Sequence, residues 1–198
     1  HGCVVLDERN EVVRPAKLWC DTATTEEAEA LSRAWSAPVP VGYTASKVAW
    51  LRAREPGNWE RVRRVLLPHE YVNHWLTGVA AAEAGDASGT GWFDPQSRDY
   101  DRRRLDDLDL RERVPPLTKP GVLGELGATA ARALGLPAGL PVSTGSGDNM
   151  MSAVGSGAVE PGILVVSLGT SGTAFARSDR PVIDPEGWVA PFLSLIHI

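Results

Sequence analysis

At 198 residues the chain is long enough to bury a core and to hold one large or two small domains. Its 43% hydrophobic and 23% charged residues are those of an ordinary globular protein, and a net charge of −5 offers no footprint for nucleic acid or an anionic membrane. Cys3 and Cys20 have neither zinc spacing nor a disulfide framework, which makes a reducing cytoplasm the default, and no apolar run reaches transmembrane length.

In chain order, Cys3–Leu6 reads as an apolar strand, Asp7–Asn10 as a turn, and Val12–Trp19, broken near Pro15, as the returning strand of a hairpin. Thr24-Thr25-Glu26-Glu27 reads as a capping box for a helix with Ala28, Leu31 and Trp35 on one face. Thr44–Glu55 is the next helix, with Val48, Trp50 and Leu51 inward, stopped by Pro56-Gly57. Asn58 caps a third, carrying Trp59, Val62 and Leu66. Pro68 opens a fourth over His69–Thr77, with Tyr71, Val72, Trp75 and Leu76 as its apolar side and Gly78 as its stop. His69 and His74 stand five apart, off the i, i+4 spacing of a shared metal, and read as surface or core-edge residues.

Asp86–Thr90 has two readings: a small-residue segment that approaches the strand layer closely, or a polar loop. Tyr100–Arg113 alternates acidic and basic residues around Leu105, Leu108 and Leu110, which predicts a solvated helix with a thin apolar stripe. Pro115-Pro116 and Pro120-Gly121 mark a surface connection, and Ala128–Leu134 is a helix closed by Gly135. Strands alternating with helices make the chain α/β.

The candidate chemistry lies between Leu140 and Thr173. Leu140–Thr144 reads as a strand, and a glycine-broken turn then delivers Asp148 and Asn149 to a helix over roughly Met150–Ser156. At that helix mouth the partial positive charge favours an ionised carboxylate, which can accept a proton from a substrate hydroxyl. Simple helix capping by Asp148 is the competing reading. Further on, Ile163–Leu168 reads as a buried strand, followed by a turn of Gly, Thr and Ser and a second strand from Thr173. That turn exposes backbone N–H groups and the hydroxyls of Thr170, Ser171 and Thr173, a nest suited to phosphate. It lacks the Gly-Lys-Ser/Thr of a Walker A loop, and an ordinary hairpin turn is the alternative. No metal-ligating set is read from the sequence.

Taken together, these pieces resemble the FGGY family of carbohydrate kinases, and within it most closely the xylulokinases. The matching stretches are His1-Gly2 before a strand ending in Asp7, Leu18–Asp21, Thr44–Leu51, Leu67–Tyr71, Leu76–Gly78, Asp86–Thr90, Gly147–Asn149 and Ser167–Gly172, in the family's order across nearly the whole chain. The resemblance implies an actin-like, ribonuclease-H-like fold of two α/β domains closing over a cleft. Residues 1–157 would belong to the sugar-binding domain and 158–198 to the start of the nucleotide-binding domain.

Carried over residue by residue, the resemblance makes Asp148 the catalytic base and Asn149 its neighbour on the sugar. It places His1 and Trp19 against the sugar and Gly169, Thr170 and Ser171 on phosphate. It implies ATP and Mg²⁺, a small sugar as substrate, a cytoplasmic location, no nucleic-acid or membrane partner, and a homodimer as an option. The implied reaction is ATP-dependent phosphorylation of the terminal hydroxyl of D-xylulose. The alternatives are the same chemistry on L-ribulose, glycerol or another polyol, and a non-catalytic sugar-binding relative.

The family's first phosphate loop and adenine pocket have no counterpart here, and Ala23 stands where many relatives carry Arg. Both chain ends read as cuts through a larger protein, with Leu193–Ile198 as an assembly scar. The 198 residues alone are therefore expected to be inactive.

Overall fold

The computed structural model describes residues 1–169, 172–180, 182, 184–186, 188–189 and 191–192. Val4–Leu6 (β1) is buried along its length and pairs antiparallel with Arg64–Leu66 (β2), with Val5 opposite Val65. The expected hairpin with Val12–Trp19 is reduced to two isolated bridges, Leu6 to Val12 and Cys3 to Lys17. Pro15 brings no N–H to a ladder, and the segment around it is largely exposed, whereas β2 offers Val65 and Leu66 to the interior.

Thr25–Trp35 (α1), Thr44–Arg54 (α2) and Pro56–Arg61 (α3) follow. The expected capping box on α1 is absent: buried Thr24 spends its hydroxyl on Ser46 Oγ, 2.9 Å away, and so joins α1 to α2. The third helix starts earlier, with Pro56 in its first turn, and stops at Arg61. Val62 is extended and fully buried, and Leu66 belongs to β2. Their β-branched and apolar neighbours serve the strand better than another turn of helix.

Pro68–Thr77 (α4) begins on its proline and ends on Gly78, whose φ of 78° is the left-handed cap conformation. The apolar stripe was expected to face inward. Instead Val72 and Trp75 are exposed, and the buried positions are Glu70 and Asn73. Glu70 Oε2 accepts the Leu67 N–H at 2.8 Å and closes the helix start. Ala82–Glu83 (β3) runs parallel to Leu117–Thr118 (β6), and between them come Ala84–Ala87 (α5), the ribbon Phe93–Asp94 (β4) with Asp99–Tyr100 (β5), and Arg102–Asp107 (α6).

The charged run is not a solvated helix with a thin stripe. Helix α6 is short, Asp109 turns the chain at φ 55°, and Leu105, Leu108 and Leu110 are all buried. They complete the main core with Val5, Trp35, Val48, Trp59, Val65 and Trp92. At about 1.5–3 kcal/mol per fully buried large apolar side chain, this cluster is a principal stabiliser of the described fold.

Val122–Glu125 (β7) pairs antiparallel with Pro141–Ser143 (β8) across Ala128–Leu134 (α7), which Gly135 terminates as expected. Asp148–Gly155 (α8) leads to the antiparallel hairpin of Leu164–Leu168 (β9) and Gly172–Ala176 (β10). Strand β9 was expected to be buried, yet Leu164, Val166 and Leu168 are exposed, because no other described strand pairs with the hairpin. No helix among the described residues is long and apolar enough to cross a membrane.

Burial pushes the Glu70 carboxyl up to about 8, with Asp86 acting in the same direction and the Leu67 N–H and His69 opposing. A folded-state pKa above the unfolded one means that Glu70 favours folding fully only below about pH 4.5, and loses that contribution as pH rises towards 8. Glu70→Gln keeps an acceptor for Leu67 and removes the ionisation. Its unfolding free energy relative to wild type should therefore climb between pH 5 and pH 9, by on the order of 4 kcal/mol. A difference independent of pH in parallel urea titrations would contradict this.

Candidate active site

Helix α5 places Asp86 beneath the chain start. Glu83 prepares it: its carboxylate accepts the Gly85 and Asp86 N–H groups at 2.7 and 3.2 Å, which orients the first turn of α5. The same carboxylate accepts a hydrogen bond from Ser146 Oγ at 2.6 Å, tying α5 to the turn before α8. Asp86 is only 7% exposed.

Two imidazoles face it. His69 Nδ1 lies 3.1 Å from Asp86 Oδ2, and His1 Nε2 lies 2.9 Å from Oδ1. The His1 N–H does not point along that line, so this is a close electrostatic contact and Nε2 has no aligned hydrogen-bond partner among the described residues. Burial alone would raise the Asp86 pKa, but the close approach of His1 and the hydrogen bond and charge of His69 outweigh it and hold the carboxylate well below the ordinary range.

The far side of His69 meets the carbonyl of Thr144, which also accepts from Asn73 Nδ2 at 2.7 Å. A carboxylate and a carbonyl can only accept, so hydrogen bonds to both take a proton on each His69 nitrogen; Asn73 Nδ2 also lies 3.1 Å from Nε2. Burial works against the charge of a doubly protonated ring, yet the Asp86 and Thr144 contacts prevail and raise the His69 pKa. Reading His69 as a surface or core-edge residue missed this role. It sits on the face of α4 that the apolar stripe did not mark, and its partners lie 17 and 75 residues away in sequence.

Thr144 opens the glycine turn. Gly145 adopts φ 60°, and a Cβ on Gly147 would stand 3.2 Å from Asp86 Oδ1 and 2.5 Å from Met150 Cε. Gly147 is the N-cap of α8, and Asp148 is its first helical residue, two positions earlier than the sequence suggested. Asp148 is therefore not the cap; it is exposed, and its Oδ1 accepts the Asn149 N–H at 2.8 Å. Asn149 is exposed beside it.

Asp86 thus stands beside the His1 ring and close to Gly147, the residue that precedes Asp148. Trp19 is 61% exposed, and its carbonyl lies beside Gly42, whose own carbonyl accepts from the His1 amino group at 2.8 Å. Gly169 is exposed at the end of β9, on the hairpin whose β10 touches α8. Thr170 and Ser171 lie outside the described residues, as does Leu193–Ile198. The described residues hold no cluster of three or more His, Cys, Asp or Glu side chains suited to a metal ion.

Comparison with known proteins decides the family. Residues 1–155 match the model of the N-terminal domain of the FGGY family of carbohydrate kinases. The chain belongs to this family. A xylulose kinase of Haemophilus influenzae is 38% identical over 209 residues, covering 98% of this chain and 42% of the relative. One of Streptomyces coelicolor is 41% identical over 206 residues, covering 97% and 42%. Among solved structures, a xyloylose kinase from Brucella ovis superposes with a TM-score of 0.87 at 36% identity, over 94% of this chain and 40% of that one. The α/β architecture of this FGGY chain is thus the actin-like one, and the chain spans about 42% of the length of those curated relatives.

The close approach within Asp86–Thr90 is to the His1 ring and not to a strand: a Cβ on Gly89 would fall 1.9 Å from His1 Cε1, so the imidazole rests where any other side chain would be. The other face of the ring stacks on Phe192 at a centroid distance of 5.7 Å. Gly89→Ala should swing the flexible His1 side chain off Asp86 while costing less than about 1 kcal/mol of stability, as expected for a clash with a movable side chain. Histidine ring NMR shifts alongside a melting curve test this. An unmoved His1 resonance would count against the packing described.

Proposed function

We propose that this chain supplies the sugar-binding side and the proton acceptor of an ATP-dependent kinase acting on D-xylulose. The observation that carries the reading is that buried Asp86 lies against the His1 ring on one side and close to Gly147, the residue before the exposed Asp148, on the other. The similarity to xylulose kinases over nearly the whole chain supports the choice of sugar. Trp19 offers an exposed aromatic face of the kind that stacks on a sugar ring or chain, and its backbone carbonyl lies beside Gly42.

In this reading His1, Trp19 and Asn149 hold the ketose with its terminal hydroxyl beside Asp148. Phe192 must leave the His1 ring for the sugar to reach it. The hydroxyl oxygen attacks the γ-phosphorus of ATP as Asp148 takes its proton, the bond to the bridging oxygen breaks, and ADP departs. Because phosphoryl transfer asks little covalent chemistry of a protein, alignment of hydroxyl and base carries most of what this part contributes. Gly169, Thr170 and Ser171 are assigned to phosphate oxygens, and Mg²⁺ arrives as part of the ATP substrate. Residues 1–157 and 158–198 are read as parts of the two domains that close on these substrates. The ATP requirement and two free cysteines favour the cytoplasm.

ADP release by the full-length protein, across a panel of ketoses and polyols, tests the reading. Turnover should be selective for D-xylulose, and Asp148→Ala should lower kcat by at least about 10³-fold. Selective turnover on another sugar would overturn the substrate, and undiminished turnover by Asp148→Ala would overturn the base. Sugar binding without any turnover would favour a non-catalytic relative.

A further inference from the structure

The residues read above as sugar-facing imidazole and proton acceptor, His1 and Asp148, lie far apart in the sequence. Asp148 leaves a glycine turn with its side chain exposed, and the His1 ring meets Asp86 from a segment remote in sequence. What fixes both is a row of groups running from His1 Nε2 to the Asp86 carboxylate, on through the His69 ring, and ending at the Thr144 carbonyl.

We propose that Asp86 and His69 are a positioning pair that sets the sugar-facing ring and the base-bearing turn in register with each other. The inference rests on the kinase reading above, and neither residue is assigned contact with the reacting atoms.

Three observations carry it. First, the pair is charged on both sides: Asp86 accepts, and His69 can meet its two acceptors only as a double donor. Replacing His69 leaves Asp86 with only the unaligned His1 contact, and replacing Asp86 leaves His69 without its carboxylate, so a neutral substitute changes geometry and not only packing. Second, the pair reaches both ends of the row directly, a ring at one and a backbone carbonyl at the other. Thr144 accepts from His69 and Asn73 and bonds through its own N–H to Gly121 at 2.9 Å, so the turn is held at its first residue by α4. Third, the close approaches at Gly89 and Gly147 clear the space on both sides of Asp86, one for the His1 ring and one for the turn itself.

An ordinary buried ion pair would need neither glycine. Glu83 reinforces the same register through Ser146, one residue from Gly147.

The test uses the full-length protein with ¹⁵N-labelled histidine. In wild type, long-range ¹H–¹⁵N spectra should show both His69 nitrogens protonated at pH values above the ordinary histidine pKa. Asp86→Asn should return His69 to an ordinary titration and move the His1 resonances. In steady-state assays Asp86→Asn and His69→Gln should raise KM for D-xylulose at least tenfold and leave KM for ATP within twofold.

A wild-type His69 that titrates at or below the ordinary value would overturn the pair without recourse to any variant. Equal loss on both substrates, or none, in a folded variant of an active wild type would overturn the positioning role. A wild type that turns over no sugar is a different result: it sinks the kinase reading, and the nitrogen spectra still judge the pair.

Discussion

A carboxylate as enclosed as that of Asp86 is tolerable only where its surroundings replace water, and the candidate site follows from meeting that demand. Two imidazoles approach its oxygens, and one of them must then find a second acceptor, which is the Thr144 carbonyl. Thr144 is the last residue before the glycine turn. Satisfying one buried charge thereby places His1 at one end of a row of polar groups and the backbone leading to Asp148 at the other. The Glu83 carboxylate repeats the device one helical turn away, gathering two α5 N–H groups and the Ser146 hydroxyl.

The rest of the fold serves as a support for that arrangement. The aromatic and aliphatic core among β1, β2, α2 and α6 fixes where the chain start emerges, and α4 stands so that its polar face looks towards β8 and the turn. Lys47 belongs to the same logic on the other flank. Its ammonium is buried at the start of α2, where it donates to the Val41 and Tyr43 carbonyls at 2.8 and 3.2 Å and steadies the loop that accepts the His1 amino group. Burial lowers its pKa, yet these carbonyls give the charge partners.

Much of this was legible in the sequence wherever local rules decide the outcome. Proline at the start of α4, Gly78 and Gly135 at helix ends, and the glycines before Asp148 each act within a few residues and read correctly. Reading failed where a side chain answers to a distant partner. Thr24 looks like a cap and instead bonds to Ser46. Val72 and Trp75 look like a buried stripe, while the buried face of α4 carries Glu70 and Asn73. The spacing of His69 and His74 speaks only to a metal pair, whereas the decisive partners of His69 are Asp86 and a backbone carbonyl. The leucines of the charged run were undervalued because Asp109 breaks the helical spacing on which that judgement relied. Asp86–Thr90 was left between two readings, since composition cannot reveal that Gly89 supports a ring. The family resemblance, by contrast, needed only co-occurrence and order, and the comparisons bear it out.

The most direct examination of the account is the structure of the full-length protein with D-xylulose bound. The account predicts the sugar within hydrogen-bond reach of His1 Nε2, its terminal hydroxyl beside the Asp148 carboxylate, and Asp86 still holding both histidines. A sugar bound elsewhere, or one at this place with its terminal hydroxyl turned away from Asp148, would contradict it.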